Sequence, residues 1–472
     1  MREKQRFWGE GMYKKVDRDQ QTLDDFILPF GGKLRVDNRW VKIAQMLPWE
    51  FIEDVYVESM SQENGAKAFS ARIAFGANYI KEHENLTDER TVEYIAENPY
   101  MQYFLGLHEY TDTPLFDPSM MVHFRKRFPA AKIEEINKRM FIEEKPTGDE
   151  PPPPNSGKLA LDATCARADI RYPSDLSLLN EARENTEEII EELWPHGLRA
   201  GHKTRYNRKK ARKEYLRLAK QKKPKAAKTR AAIGKQLEYI RRNLEDIGDL
   251  LLETGLDVLP ERHLERLMVI CELHRQQSGM YTNRTHECEK RIVSLRQPHV
   301  RPIVRGKAGG RYEFGQKLAL SVVKGYTFLE RQSFENFHEG VTLIESVERY
   351  RTLHGCYPQV VQADQIYRNR NNLAFCKNHG IRLSAPRLGR PPLNQGHQER
   401  DRQVEAQDHR DRIIIESRNG IAKRRFGLDL IMSTLPETAM TEAVLQLLCM
   451  NVRIRLLWRL VFLFRVFAPV AA

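Results

Sequence analysis

Apolar positions along this chain keep a helical period, lose it, switch to a strand period and return to the helix. The breaks between those regimes divide the chain. Residues 1 to 45 are mixed and polar, after which Pro48-Trp49 opens a stretch of short expected helices reaching about Phe128, among them Ala66 to His83 and Asp88 to Glu97. Thr87 stands before Asp88-Glu89, Asn98 before Pro99 and Asp117 before Pro118. A short polar acceptor followed by an acid or a proline is how a helix start satisfies its free N–H groups. Pro151 to Pro154, flanked by Gly148, Asn155, Ser156 and Gly157, then form a stiff spacer that a helix cannot cross.

Beyond the spacer, Lys158-Leu-Ala-Leu-Asp162 reads as a short strand ended by an acid. Residues 180 to 298 go back to the helical period, with Ile233, Leu237, Ile240, Leu244, Ile247 and Leu251 and then Leu264, Leu267, Met268 and Cys271. A long helical hairpin is expected there. Lys317 to Val323 and Tyr326 to Glu330 flank Lys324-Gly325 as a strand hairpin. A helix from about Val341 to Leu353, the strand Gln359 to Asp364, a helix near Asn371 to Asn378, the strand Ile381 to Ser384 and a helix around Glu416 follow. The order is strand, helical insertion, two-stranded hairpin, helix, strand, helix, strand, helix. It matches an α/β, ribonuclease-H-like mixed sheet with a large helical insertion after its first strand, preceded by an all-α N-terminal domain.

Composition narrows the class. The chain has 472 residues, 41% of them hydrophobic, enough for two or three folded units of roughly 150 residues. Its formal net charge is +13, but residues 199 to 230 alone hold fifteen Lys or Arg against the single acid Glu214, so the rest is near neutral. Charge concentrated in this way neutralises several phosphates at once, although a solvated helix face would have the same composition. The six cysteines form no Cys-x-x-Cys pair and the charged N-terminus does not resemble a signal peptide, which points to a reducing cytoplasm. Cys271 with His274, and His286 with Cys288, offer four zinc-type ligands at a spacing unlike common fingers, and buried helix cysteines are the expectation. The apolar C-terminal run is interrupted by Arg453, Arg455, Arg459 and Arg465, too soon for a membrane span.

Asp162 and Asp364 each end an expected strand, where open α/β sheets place their sites. Arg412, Glu416 and Lys423 are four and seven residues apart, on one face of a helix. Ion pairs within a helix have that spacing too. Three converging carboxylates need a counter-ion, and hard oxygen donors suit Mg²⁺; two such ions would support an in-line phosphoryl transfer.

These residues resemble the third motif of bacterial insertion-sequence DDE transposases, Tyr-x2-Arg-x3-Glu-x6-Lys, with His409 at the tyrosine position. Leu28-Pro-Phe, Asn38-Arg-Trp, Pro48-Trp49, Asn98 to Gly106 and Phe124 to Arg127 resemble the family's N-terminal helical domain. Ala168 to Asn180 and Arg301 to Gly306 are similar to stretches flanking its first catalytic aspartate and the strands after it. The resemblance implies that Asp162, Asp364 and Glu416 bind two Mg²⁺ ions, with Mn²⁺ as a substitute. It implies Arg412 and Lys423 as backbone contacts; Lys209, Lys210, Arg212 and Lys213 are expected to bind DNA from the charge of their segment. Its expected partners are terminal inverted repeats and target DNA, handled by a homodimer in the synaptic complex of a cytoplasmic, nucleoid-associated protein. The implied division is an arm at 1–45, a helical DNA-binding domain at 46–140, a linker at 141–157, a catalytic domain at 158–435 with its basic insertion at 180–298, and a C-terminal helix at 436–472. A transposase-derived DNA-binding protein without chemistry and a ribonuclease-H-like nuclease are the competing readings.

Overall fold

The computed structural model describes residues 23–60, 68–142, 154–196, 208–304, 312–384 and 395–467, without the side chains of residues 24, 30, 395–405, 409, 411 and 459–467. The described chain is a mixed α/β protein. Its helices and strands fall into two compact units, one made of Met1–Arg167, Lys317–Ser333 and Phe337–Ala472, the other of Ala168–Gln316 and Phe334–Asn336. The break in compactness therefore does not follow the proline spacer, and the run Pro151 to Pro153 lies outside the described residues.

The first unit opens with seven helices among its described residues: α1 (Arg39–Met46), α2 (Trp49–Glu58), α3 (Ala71–Glu84), α4 (Asp88–Glu97), α5 (Pro99–Phe104), α6 (Met120–Arg127) and α7 (Ala130–Phe141). Their starts are chemically determined. Ser70 accepts from Ile73 N, Thr87 from Arg90 N, and Asn98 from both Tyr100 N and Met101 N with Pro99 at the first helical position. Asp117 instead holds a turn, accepting from Ser119 N at 2.9 Å just ahead of α6. Gly76 lets α3 meet α5 closely, since a Cβ there would lie 2.5 Å from Leu105 Cδ2.

The sheet contains β1 (Lys158–Ala168), β2 (Arg301–Val304), β3 (Tyr312–Val323), β4 (Tyr326–Ser333), β5 (Val360–Gln362), β6 (Arg382–Ser384) and β7 (Leu430–Ile431). Its order is β2-β3-β1-β5-β6, with β4 beside β3 and β7 beside β1. β1, β5 and β6 run parallel, whereas β3 and β4 form an antiparallel hairpin. Lys324 and Gly325 both take positive φ at its turn, the geometry that matches strand twist in two-residue hairpins. Leu159, Leu161, Val361, Ala363 and Phe328 are buried with Leu343, Val347 and Tyr350 of α12 (Thr342–His354).

After β5 come α13 (Arg370–Asn378), α14 (Gln395–Phe426) and α15 (Pro436–Phe467). α15 is the hub of the first unit, packing on α3, α6, α7 and β4. Its face from Ala443 to Val452 is almost fully buried, and its polar members are tied down. Asn451 Nδ2 donates to Asn137 Oδ1 and Thr327 O while its Oδ1 accepts from Thr327 N. Gln446 donates to Glu82, which pairs with Lys81 at 2.7 Å. Among the described residues no helix is long and apolar enough to cross a membrane.

The second unit is largely helical: α8 (Asp175–Leu193), α9 (Arg208–Ala219), α10 (Ala226–Thr254) and α11 (Glu261–Asn283). Of the expected periodic residues Leu237, Ile240, Ile247 and Leu267 face a core, whereas Met268 is 61% exposed and Cys271, expected to be buried, is exposed as well. Leu237, Ile240, Ile270 and Leu273 pack with Leu178 and Leu179, and Ile247 and Leu250 with Ile189, Ile190 and Leu193.

Candidate active site

Two strands set the aspartates side by side. β1 and β5 pair in parallel as Lys158 with Val360, Leu159 with Val361 and Ala160 with Gln362. Asp162 and Asp364 each lie two residues beyond that last pair, so the two-residue period of the pleat points both to the same face. One expectation is corrected here: Asp162 does not end its strand, because β1 continues to Ala168. What ends near it is the pairing with β5, after which β7 is available to β1. Asp364 stands two residues past the end of its strand at Gln362. Its carboxylate also accepts from Gln365 N at 2.7 Å and starts a 3-10 turn, Gln365–Tyr367, so it does the capping work expected of such an aspartate as well.

Helix α14 delivers the third acid. Ile415 packs with Ala160 and Val322, the Arg418 Nε donates to Gly325 O at 2.9 Å, and Arg382 of β6 grips Asp408 through two bonds of 2.6 and 2.9 Å. Held so, the helix lays Arg412 between two acids. Its guanidinium donates to Asp364 Oδ1 at 3.3 Å and to Glu416 Oε1 at 3.0 Å. Burial would lower the Arg412 pKa, but Glu416 and Asp364 more than offset it and raise it. The structure thus brings Asp162, Asp364, Arg412 and Glu416 together. Lys423 lies two turns beyond Glu416 and makes no ion pair among the described residues. His409 sits on α14 with its side chain outside the described residues.

Two further residues belong to the site and were not foreseen. Asn419 Nδ2 donates to Asp162 Oδ2 at 2.9 Å. Its Oδ1 is buried without a partner among the described residues. Its spacing, three after Glu416 and four before Lys423, carries the same helical signal as the charged residues, but an amide draws less notice. Glu339 had no such signal. It lies at the start of the 3-10 turn Glu339–Val341, which touches the Gln365–Tyr367 turn because residue 340 is glycine. A Cβ there would come within 2.7 Å of Ile366 O. Asn372 Nδ2 clasps both turns, donating to Gly340 O at 2.7 Å and Tyr367 O at 2.8 Å, and Lys317 Nζ holds Glu339 Oε1 at 2.9 Å.

Electrostatically the site is short of positive charge at Asp162. Burial pushes its carboxyl up to about 6, and the charges of Glu339 and Asp364 add to the rise, while Ala163 N–H and Arg412 oppose it. Among the described residues no set of three or more His, Cys, Asp or Glu stands ready to hold a metal ion. The Arg412 guanidinium occupies the space between Asp364 and Glu416 instead. The donor set nonetheless suits a hard cation, since Asp162, Asp364 and Glu416 offer carboxylate oxygens and the first is left desolvated without enough counter-charge. The zinc-type set does not assemble, as the His274 ring meets Leu237 O at 3.2 Å and His286 faces Asp175 at 3.8 Å.

In the second unit Lys209, Lys210, Arg212 and Lys213 are all exposed on α9, whose other side buries Tyr215 and Leu218 with Leu176.

Residues 30–127 match the family model for a transposase domain (DUF772), and residues 361–453 match that for a transposase DDE domain. The second match contains Asp364, Arg412, Glu416, Asn419 and Lys423, whereas Asp162 lies outside both. The chain is also 27% identical over 180 residues to the uncharacterized protein ORF8 in the nfe locus of Rhizobium meliloti, covering 38% of this chain and 79% of that protein. No solved structure matches. The two transposase domain models match in order along the chain, and together they support a DDE transposase of an insertion sequence.

Proposed function

We propose that this transposase binds the terminal inverted repeats of its element through the helical N-terminal domain, nicks the DNA at the element ends and joins the freed 3′-hydroxyl to target DNA. Asp162, Asp364 and Glu416 would hold two Mg²⁺ ions. Bound there, the ions would supply activation of the attacking oxygen and stabilisation of the leaving one. In the first step water attacks the phosphorus and the bond to the 3′ oxygen breaks. In the second that 3′-hydroxyl attacks a target phosphodiester and displaces another 3′ oxygen.

The observation that carries this reading is the shared register position of Asp162 and Asp364 on adjacent parallel strands, with α14 bonded to both through Arg412 and Asn419. The order β4-β3-β1-β5-β6 supports a ribonuclease-H-like sheet. In this reading Arg412 is a gatekeeper. Its guanidinium pairs with Asp364 and Glu416, and would be released to a DNA phosphate if those oxygens held metal, a role for which a planar, always-charged donor is suited. Lys423, on the same face and without an ion pair among the described residues, offers a second phosphate contact. A homodimer in the synaptic complex and a nucleoid-associated cytoplasmic location belong to the same proposal.

The test is Asp364→Asn. Removing one carboxylate charge takes away a metal ligand but no DNA contact, so cleavage and strand transfer should be abolished while binding to end DNA stays within about twofold. Retained cleavage would overturn the assignment. Loss of end binding together with cleavage would place Asp364 in DNA recognition instead.

A further inference from the structure

The second unit holds a cavity that none of the chemistry above uses. It measures about 290 Å³, and the stretch from Ala168 to Asn180, singled out in the sequence without a role, forms much of its wall. Residues 169–173 after β1 line one side, the first turns of α8 another, and Val293, Ser294, Arg296 and Gln297 the third.

Four side chains there differ from ordinary surface. Gln297 is 1% exposed, and its Nε2 donates to Asp169 O at 3.0 Å. That bond fixes the amide orientation, and Oε1 is left buried without a hydrogen-bond partner among the described residues. Such a buried acceptor can take a hydrogen bond from a donor carried by a bound molecule. Arg171 and Arg296 line the same space, both exposed and neither in an ion pair among the described residues. The Tyr172 ring is 77% exposed, held at an edge by Phe314 with centroids 5.7 Å apart at 87°, which leaves a face open. Asp169 and Glu181 also line the cavity, so it is not a simple anion trap: it asks for N–H donors as well as a negative group.

We propose that this cavity binds a single nucleotide, with the base stacked on Tyr172, an exocyclic amine donating to Gln297 Oε1, and the phosphate met by Arg171 and Arg296. The volume lies at the lower end of the range for small-ligand pockets, room for one nucleotide and not for a duplex groove. An amine requirement favours adenine or cytosine over thymine. The nucleotide could come from a DNA strand or be free. A DNA source rests on the transposase reading, whereas a free nucleotide does not.

The experiment uses the full chain with two probes, a fluorescein-labelled ten-nucleotide oligo(dA) and free dAMP, with oligo(dT) as comparison. Tyr172→Ala and the pair Arg171→Ala with Arg296→Ala, all at exposed positions, should each weaken binding roughly tenfold. Tyr172→Phe should keep it. Gln297→Met should erase the preference of dA over dT. Losses with the oligonucleotide alone identify a DNA-borne nucleotide, and losses with dAMP identify a free one. Affinities unchanged in the Tyr172 and Arg171/Arg296 variants for both probes overturn the proposal. Asp364→Asn should bind both probes like the wild type, which keeps this outcome separate from failure of the metal-site reading.

Discussion

Asn419 shows how one amide can serve a charged site. A carboxylate only accepts hydrogen bonds, so the Nδ2 group must face Asp162, and the buried Oδ1 must face away. Bonds to charged groups are worth about 1.5–3 kcal/mol, and partners that orient a metal ligand typically change activity or metal affinity by roughly 10–100-fold. Asn419→Ala should therefore lower strand cleavage by about that factor while leaving end binding near the wild-type level. It should also shrink the rise in melting temperature produced by Mg²⁺ or Mn²⁺. Equal cleavage and an equal metal-dependent rise would reduce the Asn419 bond to packing. Gly340 is legible in a different way: its lack of a Cβ allows two 3-10 turns to touch and bring Glu339 near the aspartates, which nothing in its local sequence announces.

At the scale of elements, α7, β4 and α15 are joined through buried polar groups. Asn137 and Asn451 bond each other and Thr327 O, and Glu134 lies beside them on α7. Burial pushes the Glu134 carboxyl up to about 8 from an ordinary 4.5, against the pull of Lys138 and Asn137. A raised native pKa means the folded state holds the proton more tightly between those values. Its stability is full at low pH and declines as pH rises through that window. At about 1.4 kcal/mol per unit the effect amounts to several kcal/mol. We expect Glu134→Gln to flatten the fall in melting temperature between pH 5 and 8, roughly, followed by circular dichroism. A fall as steep as in the wild type would show that another group controls it. The short strands were legible for the same local reason as the helices: Gln359 to Asp364 and Ile381 to Ser384 are apolar runs ended by turn chemistry. β7 was not, since two residues carry no period.

For the whole molecule, charge and compactness divide between the two units. The basic segment folds in part as α9 within the second unit, while the acids belong to the first. Replacing Lys209, Lys210, Arg212 and Lys213 by Gln should weaken DNA binding and reduce the slope of log affinity against log salt by roughly 3 to 4 if each meets a phosphate. An unchanged slope would mark α9 as a solvated face. Several of the described helices, the hairpin and the residues of the third motif could be read from the sequence alone, because caps, turns and side-chain periods act between neighbours a few positions apart. Helix α1 lies almost wholly in the stretch read as a polar arm, and α7 beyond the expected end of the helices near Phe128. The tertiary structure decided the rest. It joined residues 162 and 364 by strand register, lodged Arg412 between two acids, brought Asn419 and Glu339 to the site and buried α15 among helices from the other end of the chain. Each of those depends on contacts between distant residues, which burial and close packing select and which no local pattern encodes.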